Sequence, residues 1–202
     1  EQIHSLFTFS PDGKRIAFTR NKLNEYGEQY NDLFIHDLKT GEEERLTQSR
    51  RLSSPSWHPD GNSLAAIMQY RGTQNLVIIN ISDGTINKIT DYRNGEQVFT
   101  PAWHPDGDEL YFAFSEKRGR EIRRVNRPNR EINTVLSNAF TDYRDPFIDS
   151  EGLFLYYASD ETGIFNIYRR AVGSSRTQTE QLTNVIGGAF MPNVNREQEM
   201  IF

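Results

Sequence analysis

The pentapeptide Trp-His-Pro-Asp-Gly occurs twice in this sequence, at Trp57–Gly61 and again at Trp103–Gly107. Histidine and aspartate two positions apart are residue types of general acid–base chemistry, so two catalytic centres are one reading. The other is a repeated architectural turn. Pro presets φ at the first turn position, Asp accepts from nearby backbone amides, and Gly supplies the positive φ that ends the turn. A third copy, Ser10-Pro11-Asp12-Gly13, carries serine where the later copies carry His58 and His104. A position that accepts Ser or His suits a turn cap better than a catalyst, and an active site rarely recurs in every repeat of a repeat protein. Pro11, Asp12, Gly13, Pro59, Asp60, Gly61, Pro105, Asp106 and Gly107 are therefore read as structural turn residues, and no catalytic residue is assigned.

The remaining chemistry is sparse. There is no Cys, which excludes disulfides and thiolate metal sites. The four histidines, His4, His36, His58 and His104, have no His neighbour at ligand spacing. Zinc needs three or four convergent ligands, so no metal and no cofactor are expected. His36 reads as a half-buried strand residue. No H-E-x-x-H metal helix, nucleophile elbow, P-loop or dinucleotide fingerprint is present. The stretch Asn24–Asp32 reads as a long acidic-aromatic loop without the spaced oxygen ligands of a Ca²⁺ loop.

The elements that carry these residues follow from periodicity. The segments beginning at Leu6, Ser54, Thr100, Asp145 and Met191 align with one another, at intervals of 48, 46, 45 and 46 residues. Each holds an apolar or aromatic residue, a turn and a second apolar stretch. The turn decays along the chain from SPDG through HPDG to DSEG and NREQ. A second signature follows in the first four units, as in Asp32–Thr47 and Asn75–Thr90: a short strand, a turn rich in Gly, Asn, Pro or Ser, and a strand closing in a Leu-Thr-like pair. Short strands bounded by turn residues are the hairpin signal, and no window has helical period. Four strands per unit, A to D, is the pattern of a propeller blade. The expected fold is an all-β propeller of about four complete blades plus the start of a fifth, with repeats at 4–52, 53–98, 99–143, 144–188 and 189–202.

The chain has 202 residues, 25% of them charged, and a net charge of −5. An acidic balance argues against nucleic acid as partner. No apolar run approaches the roughly 18 residues of a membrane span. The sequence begins at EQIHSLF and stops at EQEMIF inside an apolar segment, and is read as part of a longer chain.

The pattern P-x-W-[SH]-P-D-G followed by an apolar strand, with the later closing L-T, resembles the TolB-like family of β-propeller repeats. The resemblance is most specific over Leu6–Thr47 and Ser54–Asp106. It implies a ring of six to eight blades, hence a longer protein, because an open arc exposes strand edges. It also implies a bacterial periplasmic or cell-envelope location and a non-catalytic role in protein–protein interaction. The family also includes propellers of prolyl-oligopeptidase-like and tricorn-like peptidases and of an oligogalacturonide lyase, so an enzyme propeller is the alternative.

In a propeller the B–C and D–A loops share one face. Those loops carry Arg50 and Arg51, Tyr70 and Arg71, Tyr92 and Arg93, Arg118, and Tyr143 and Arg144, with Arg20, Lys22, Tyr26, Tyr30, Lys117 and Arg120 nearby. Arg and Tyr are favoured at binding hot spots. The expectation is a face for a protein partner with an acidic or carboxylate-bearing segment, against the plainer reading of solvated loop charge. The basic run Glu116–Arg130 is read as a solvated blade edge.

Overall fold

A computed structural model describes residues 7–116, 118–173, 178–194 and 200–201. They contain no helix, and therefore none long and apolar enough to cross a membrane. The first sheet comprises β1 (Thr8–Phe9), β2 (Arg15–Leu23), β3 (Gln29–Asp37) and β4 (Glu43–Arg45). The second comprises β5 (Leu52–Trp57), β6 (Ser63–Tyr70), β7 (Thr73–Asn80) and β8 (Ile86–Lys88). The third comprises β9 (Gln97–Trp103), β10 (Glu109–Ser115), β11 (Glu121–Asn126) and β12 (Ile132–Leu136). The fourth comprises β13 (Tyr143–Ile148), β14 (Phe154–Ser159), β15 (Asn166–Ala171) and β16 (Thr179–Gln181). A last pair, β17 (Asn193–Val194) and β18 (Met200–Ile201), follows. All are antiparallel meanders whose spatial order equals chain order. The fold is a β-propeller of about four blades.

The chain divides into two compact units, Glu1–Pro101 and Ala102–Phe202. Within the first, β5 packs on β2 and β3, and Ala17, Leu33 and Ile35 share a core with Leu52, Trp57, Leu64 and Val77. Within the second, β13 packs on β10 and β11, and Tyr111 and Ile122 share a core with Tyr143, Ile148, Leu155, Tyr157 and Tyr168. Burial of strands B and C on both faces explains their near-continuous apolar runs, since each sheet must bury two surfaces.

The turns of the opening motif serve these contacts. Trp57 is buried, and its Nε1 donates to the Thr8 carbonyl of the preceding blade (3.1 Å). His58 Nδ1 lies 2.8 Å from Asp60 Oδ1 of its own turn, and the Asp60 carboxylate accepts from the Asn62 amide (2.8 Å). In the serine copy the Ser10 hydroxyl donates to Asp12 (2.5 Å) and accepts from the Arg15 amide (2.9 Å). His104 Nδ1 lies 2.9 Å from Asp106 Oδ2, and His104 Nε2 donates to the Gly152 carbonyl of the next blade (3.2 Å). Gly152 has φ +73°, and a Cβ there would stand 2.5 Å from His104 Nε2. Only glycine fits both the backbone and the contact.

The residue before each inner-strand proline is left-handed: Ser54, Thr100, Asp145 and Met191 have φ of 50°, 41°, 51° and 52°. Register shifts at Ser53/Ser56 and Arg144/Phe147 mark bulges there. In these two strands the bulge turns the chain, and all four prolines lie in buried space.

The closing Leu-Thr pair has a partner that the repeat pattern does not announce. Asp32, fully buried at the start of the core-facing run of β3, accepts from the Thr47 hydroxyl (3.2 Å), the Ser49 and Arg50 amides (2.9 and 3.0 Å) and Arg45 Nη2 (2.7 Å). Thr47 Oγ1 in turn accepts from the Leu33 amide (3.0 Å). Asn75 and Thr90 repeat the arrangement: Asn75 Oδ1 accepts from Thr90 Oγ1 (2.9 Å) and the Tyr92 amide (2.7 Å). Asn166 Oδ1 does the same for Thr183 Oγ1 and the Val185 amide, both at 3.0 Å. In the third blade Glu121 and Ser137 occupy these positions at 3.4 Å. Each clamp ties the residue after strand D to strand C, and in the first, second and fourth blades it also pins the outgoing loop by its amide.

Two expectations need correction. The basic run is no blade edge where it enters β11, because β12 flanks that strand. Arg123 stacks 3.5 Å over Phe114 and binds Glu121 (2.9 Å), and Arg124 binds Glu109 (2.9 Å), so neighbouring carboxylates and an aromatic ring hold these cations half-buried. The long loop at Asn24–Asp32 is a tight turn instead, because β3 starts at Gln29. Asn24 Oδ1 accepts from the Tyr26 and Glu28 amides (3.0 and 2.9 Å), which extends the hairpin.

Asp32→Ala strips three backbone or hydroxyl donors and Arg45 of a buried acceptor, and is expected to cost about 2–4 kcal/mol by urea denaturation. Asp32→Asn keeps the oxygen that takes Thr47 and Arg50, as Asn75 and Asn166 do, but turns an NH2 toward the Ser49 amide and Arg45, and should cost about 1–2 kcal/mol, less than Asp32→Ala. Equal losses for the two variants would refute the clamp. Gly152→Ala should cost about 1–3 kcal/mol, part of it recovered when His104 is also Ala.

Candidate functional site

The loop residues singled out for binding sort by unit. In the first unit the turn between β6 and β7 is the two-residue loop Arg71-Gly72, closed by the Tyr70–Thr73 pair. Arg71 has φ 49° and Gly72 φ 81°, the conformations of a type I′ hairpin. Asn, Asp or Gly is preferred at the first of these positions, and arginine there costs roughly 1–2 kcal/mol. The Arg71 guanidinium lies 5.2 Å from the Tyr70 ring centroid, and Tyr70 is 58% exposed.

The loop after β8 is tied beneath this turn. Asn75 Nδ2 donates to the Tyr92 carbonyl (3.0 Å) while Asn75 Oδ1 holds the Tyr92 amide, so the backbone of Tyr92 is fixed from both sides. The Gly95 amide donates to Thr73 Oγ1 (3.0 Å). Gln97 Nε2 bridges the Gly72 and Gly95 carbonyls, both at 2.8 Å. These bonds bring Tyr70, Arg71, Tyr92 and Arg93 around one cleft of about 370 Å³, with Lys88 and Asp91 on its wall and Asn75 and Thr73 at its floor. Arg93 is ion-paired with Asp91, and that hydrogen bond holds the Asp91 carboxyl below its usual range.

Arg50 and Arg51 lie on the loop before β5. The Arg50 amide is bound to Asp32, and the Arg51 guanidinium stands 4.6 Å from the Tyr30 ring centroid. The Arg51 carbonyl accepts from the Gln69 amide (3.0 Å), which joins this loop to the end of β6 beside Tyr70. Arg20, Lys22 and Tyr30 are strand residues of the extended β2–β3 hairpin. Arg20 is bound to Glu43 through two bonds of 2.6 and 2.8 Å.

In the second unit Arg118 is exposed and lines a cleft of about 460 Å³ with Phe140, whose side chain is 87% exposed. Tyr143 is not a loop residue: it is buried in β13, 5.8 Å from the ring of Tyr157. Arg144 is half-buried, bound to Asp142 (2.6 Å) and 4.5 Å from the Phe165 ring centroid. The two Thr-Asp-Tyr-Arg copies differ because Thr90 is the clamp hydroxyl of its blade, whereas Ser137 takes that role in the next. The second copy therefore starts four residues later relative to the clamp and runs into the strand. Lys117 lies outside the described residues. Beside Arg144, burial raises the Asp145 carboxyl against the opposing pull of the Met191 amide and of Arg144 and Arg120.

Among the described residues no group of three or more His, Asp or Glu is arranged to hold a metal. His58 and His104 each contact the aspartate of their own turn, and His104 also the Gly152 carbonyl. The first-unit cleft presents cations and phenols on a fixed backbone. Its supports, Thr73, Asn75 and Gln97, are not singled out by residue type. The Asn75 signal is legible only in retrospect, as an Asp or Asn before the Leu or Ile that opens the apolar run of strand C.

The family model described as the TolB beta propeller domain matches residues 5–194. The uncharacterized peptidase YuxL of Bacillus subtilis is 32% identical over 90 residues, 43% of this chain and 14% of that protein. The TolB homolog of Chlorobaculum tepidum is 33% identical over 79 residues, 39% of this chain and 17% of that protein. The structure of a putative TolB from Agrobacterium tumefaciens superimposes with a TM-score of 0.77 at 19% identity, covering 93% of this chain and 64% of that one. An oligogalacturonate lyase from Vibrio parahaemolyticus superimposes with a TM-score of 0.67 at 14% identity, covering 98% and 61%. The aligned region thus spans less than two thirds of each of these proteins. Because the family model covers nearly all of the sequence, the chain belongs to the TolB β-propeller family.

Proposed function

We propose that this chain is a non-catalytic propeller scaffold of a bacterial periplasm or cell envelope, which binds a protein partner through its Arg- and Tyr-bearing loops. One observation carries the reading: Tyr70, Arg71, Tyr92 and Arg93 surround a single cleft whose backbone is fixed by the amide side chains of Asn75 and Gln97. Arg and Tyr give large contact area with a polar tip, and fixed loops lose little entropy on binding. An arginine-rich surface on a chain of net charge −5 suits a carboxylate-bearing partner segment. The envelope location rests on the family resemblance.

A second reading has a specific support in the similarity to the Bacillus subtilis peptidase. In it, the blades belong to an enzyme, either a peptidase whose catalytic domain lies elsewhere in the protein or a lyase of acidic sugars. A hydrolase domain with a nucleophile elbow in the full reading frame would favour the peptidase. Turnover of uronate oligomers by the isolated chain would favour the lyase.

The scaffold reading is tested by crosslinked pull-down from an envelope fraction, comparing wild type with Arg93→Ala/Arg118→Ala. Both side chains are exposed, so folding should be unchanged. Capture of the partner should fall about tenfold. Capture at wild-type level by a folded double variant overturns the loop-face reading.

A further inference from the structure

We infer that the cleft of the second blade is a carboxylate-recognition site for an extended acidic peptide, with Arg71 as its specificity-determining side chain. The inference rests on the loop-face reading above and names the ligand chemistry of one part of that face.

The first argument is charge. The cleft walls carry Arg71, Lys88 and Arg93 against the single carboxylate of Asp91. This cationic concavity lies on an acidic chain, and a concave wall focuses the field of its charges. Asp91 is already committed to Arg93, whereas Arg71 stacks on Tyr70 and is exposed. An exposed guanidinium offers planar, paired N–H donors, which can take a carboxylate in two parallel bonds.

The second argument is conformational and independent of charge. Arg71 occupies the left-handed first position of a two-residue hairpin, where Asn, Asp or Gly would be less strained. Strain of this kind persists where a side chain is needed at that place. The hairpin is not loose: Gln97 and Thr73 tie Gly72 and Gly95 together, so the strained residue is held in one orientation.

The third argument is size and shape. About 370 Å³ admits one or two side chains and no large cofactor. The cleft is flanked by Tyr70 and Tyr92, which suit the apolar stem of a Glu and the peptide planes beside it. The Arg51 loop is hydrogen-bonded to Gln69 beside Tyr70, and its guanidinium stands over the Tyr30 ring.

The test uses the 202-residue chain and a fluorescein-labelled deca-glutamate peptide, read by anisotropy at low and at physiological salt. Wild type should bind with an affinity that weakens as salt rises. Arg71→Asn suits the left-handed position better, so its Tm should equal or exceed that of wild type, while peptide affinity falls at least about tenfold. A purely structural arginine would give the higher Tm with unchanged affinity, and that result overturns the proposal. So does absence of binding by wild type. Two competitors separate the sources of the carboxylate. Displacement by an unlabelled deca-glutamate but not by a galacturonate oligomer supports the peptide. Equal displacement by the sugar, or by inorganic phosphate at similar concentration, overturns it in favour of a general anion site. If deca-glutamate fails while partner capture remains sensitive to Arg93 and Arg118, only this inference falls. If the peptide binds through Arg71 while capture is insensitive to those residues, only the broader reading falls.

Discussion

An acceptor on strand C, closed by a hydroxyl just past strand D, is the interaction on which the blades depend, and it is buried in three of the four. Strand D is only three residues long in three of the four sheets, too short to hold its place by ladder bonds alone. Asp32, Asn75 and Asn166 supply the missing anchor. Each takes the hydroxyl of the closing threonine and an amide of the outgoing loop. The hydroxyl in turn accepts from the next backbone amide of strand C, which chains the bonds together at that corner. Asp32 carries a charge into this position and is matched by Arg45, which the amide blades do not need. The third blade uses a longer Glu121 whose carboxylate also serves Arg123, and its strand D is correspondingly longer, at five residues.

The same clamp orders the loop that carries Tyr92 and Arg93. In the second blade Asn75 fixes Tyr92 by both backbone groups, and the adjacent turn is strapped by Gln97. The side chains available for binding are thus mounted on backbone that is already ordered. Where the clamp is displaced, the outcome changes. The sequence Thr141–Arg144 repeats Thr90–Arg93, yet Tyr143 enters the core and Arg144 lies on Phe165. Identical tetrapeptides take different roles because the hydroxyl that closes the blade sits at different offsets from them.

Much of the plan is legible in one dimension. The repeat of about 46 residues, the Pro-Asp-Gly turns and the paired apolar runs are local signals, since φ preference and side-chain alternation act within a few residues. The arginine and tyrosine content of the loops is equally visible. What could not be read is which of those residues remain outside. Arg123 and Arg124 look like edge charges, but β12 covers their strand and Glu121 and Glu109 neutralise them. Arg20 looks like a loop cation and is bound by both oxygens of Glu43, twenty-three positions away.

Sequence alone therefore determined the class of the fold and the strand number per blade, because turns and short hairpins are set by neighbouring residues. Tertiary structure alone decided that Tyr70, Arg71, Tyr92 and Arg93 share one cleft and that Tyr143 does not join a comparable one. That choice depends on bonds between residues some fifteen to twenty-five positions apart, such as Asn75 to Tyr92 and Gln97 to Gly72. Such bonds form only once strands C and D have closed, and nothing in the local pattern encodes their register.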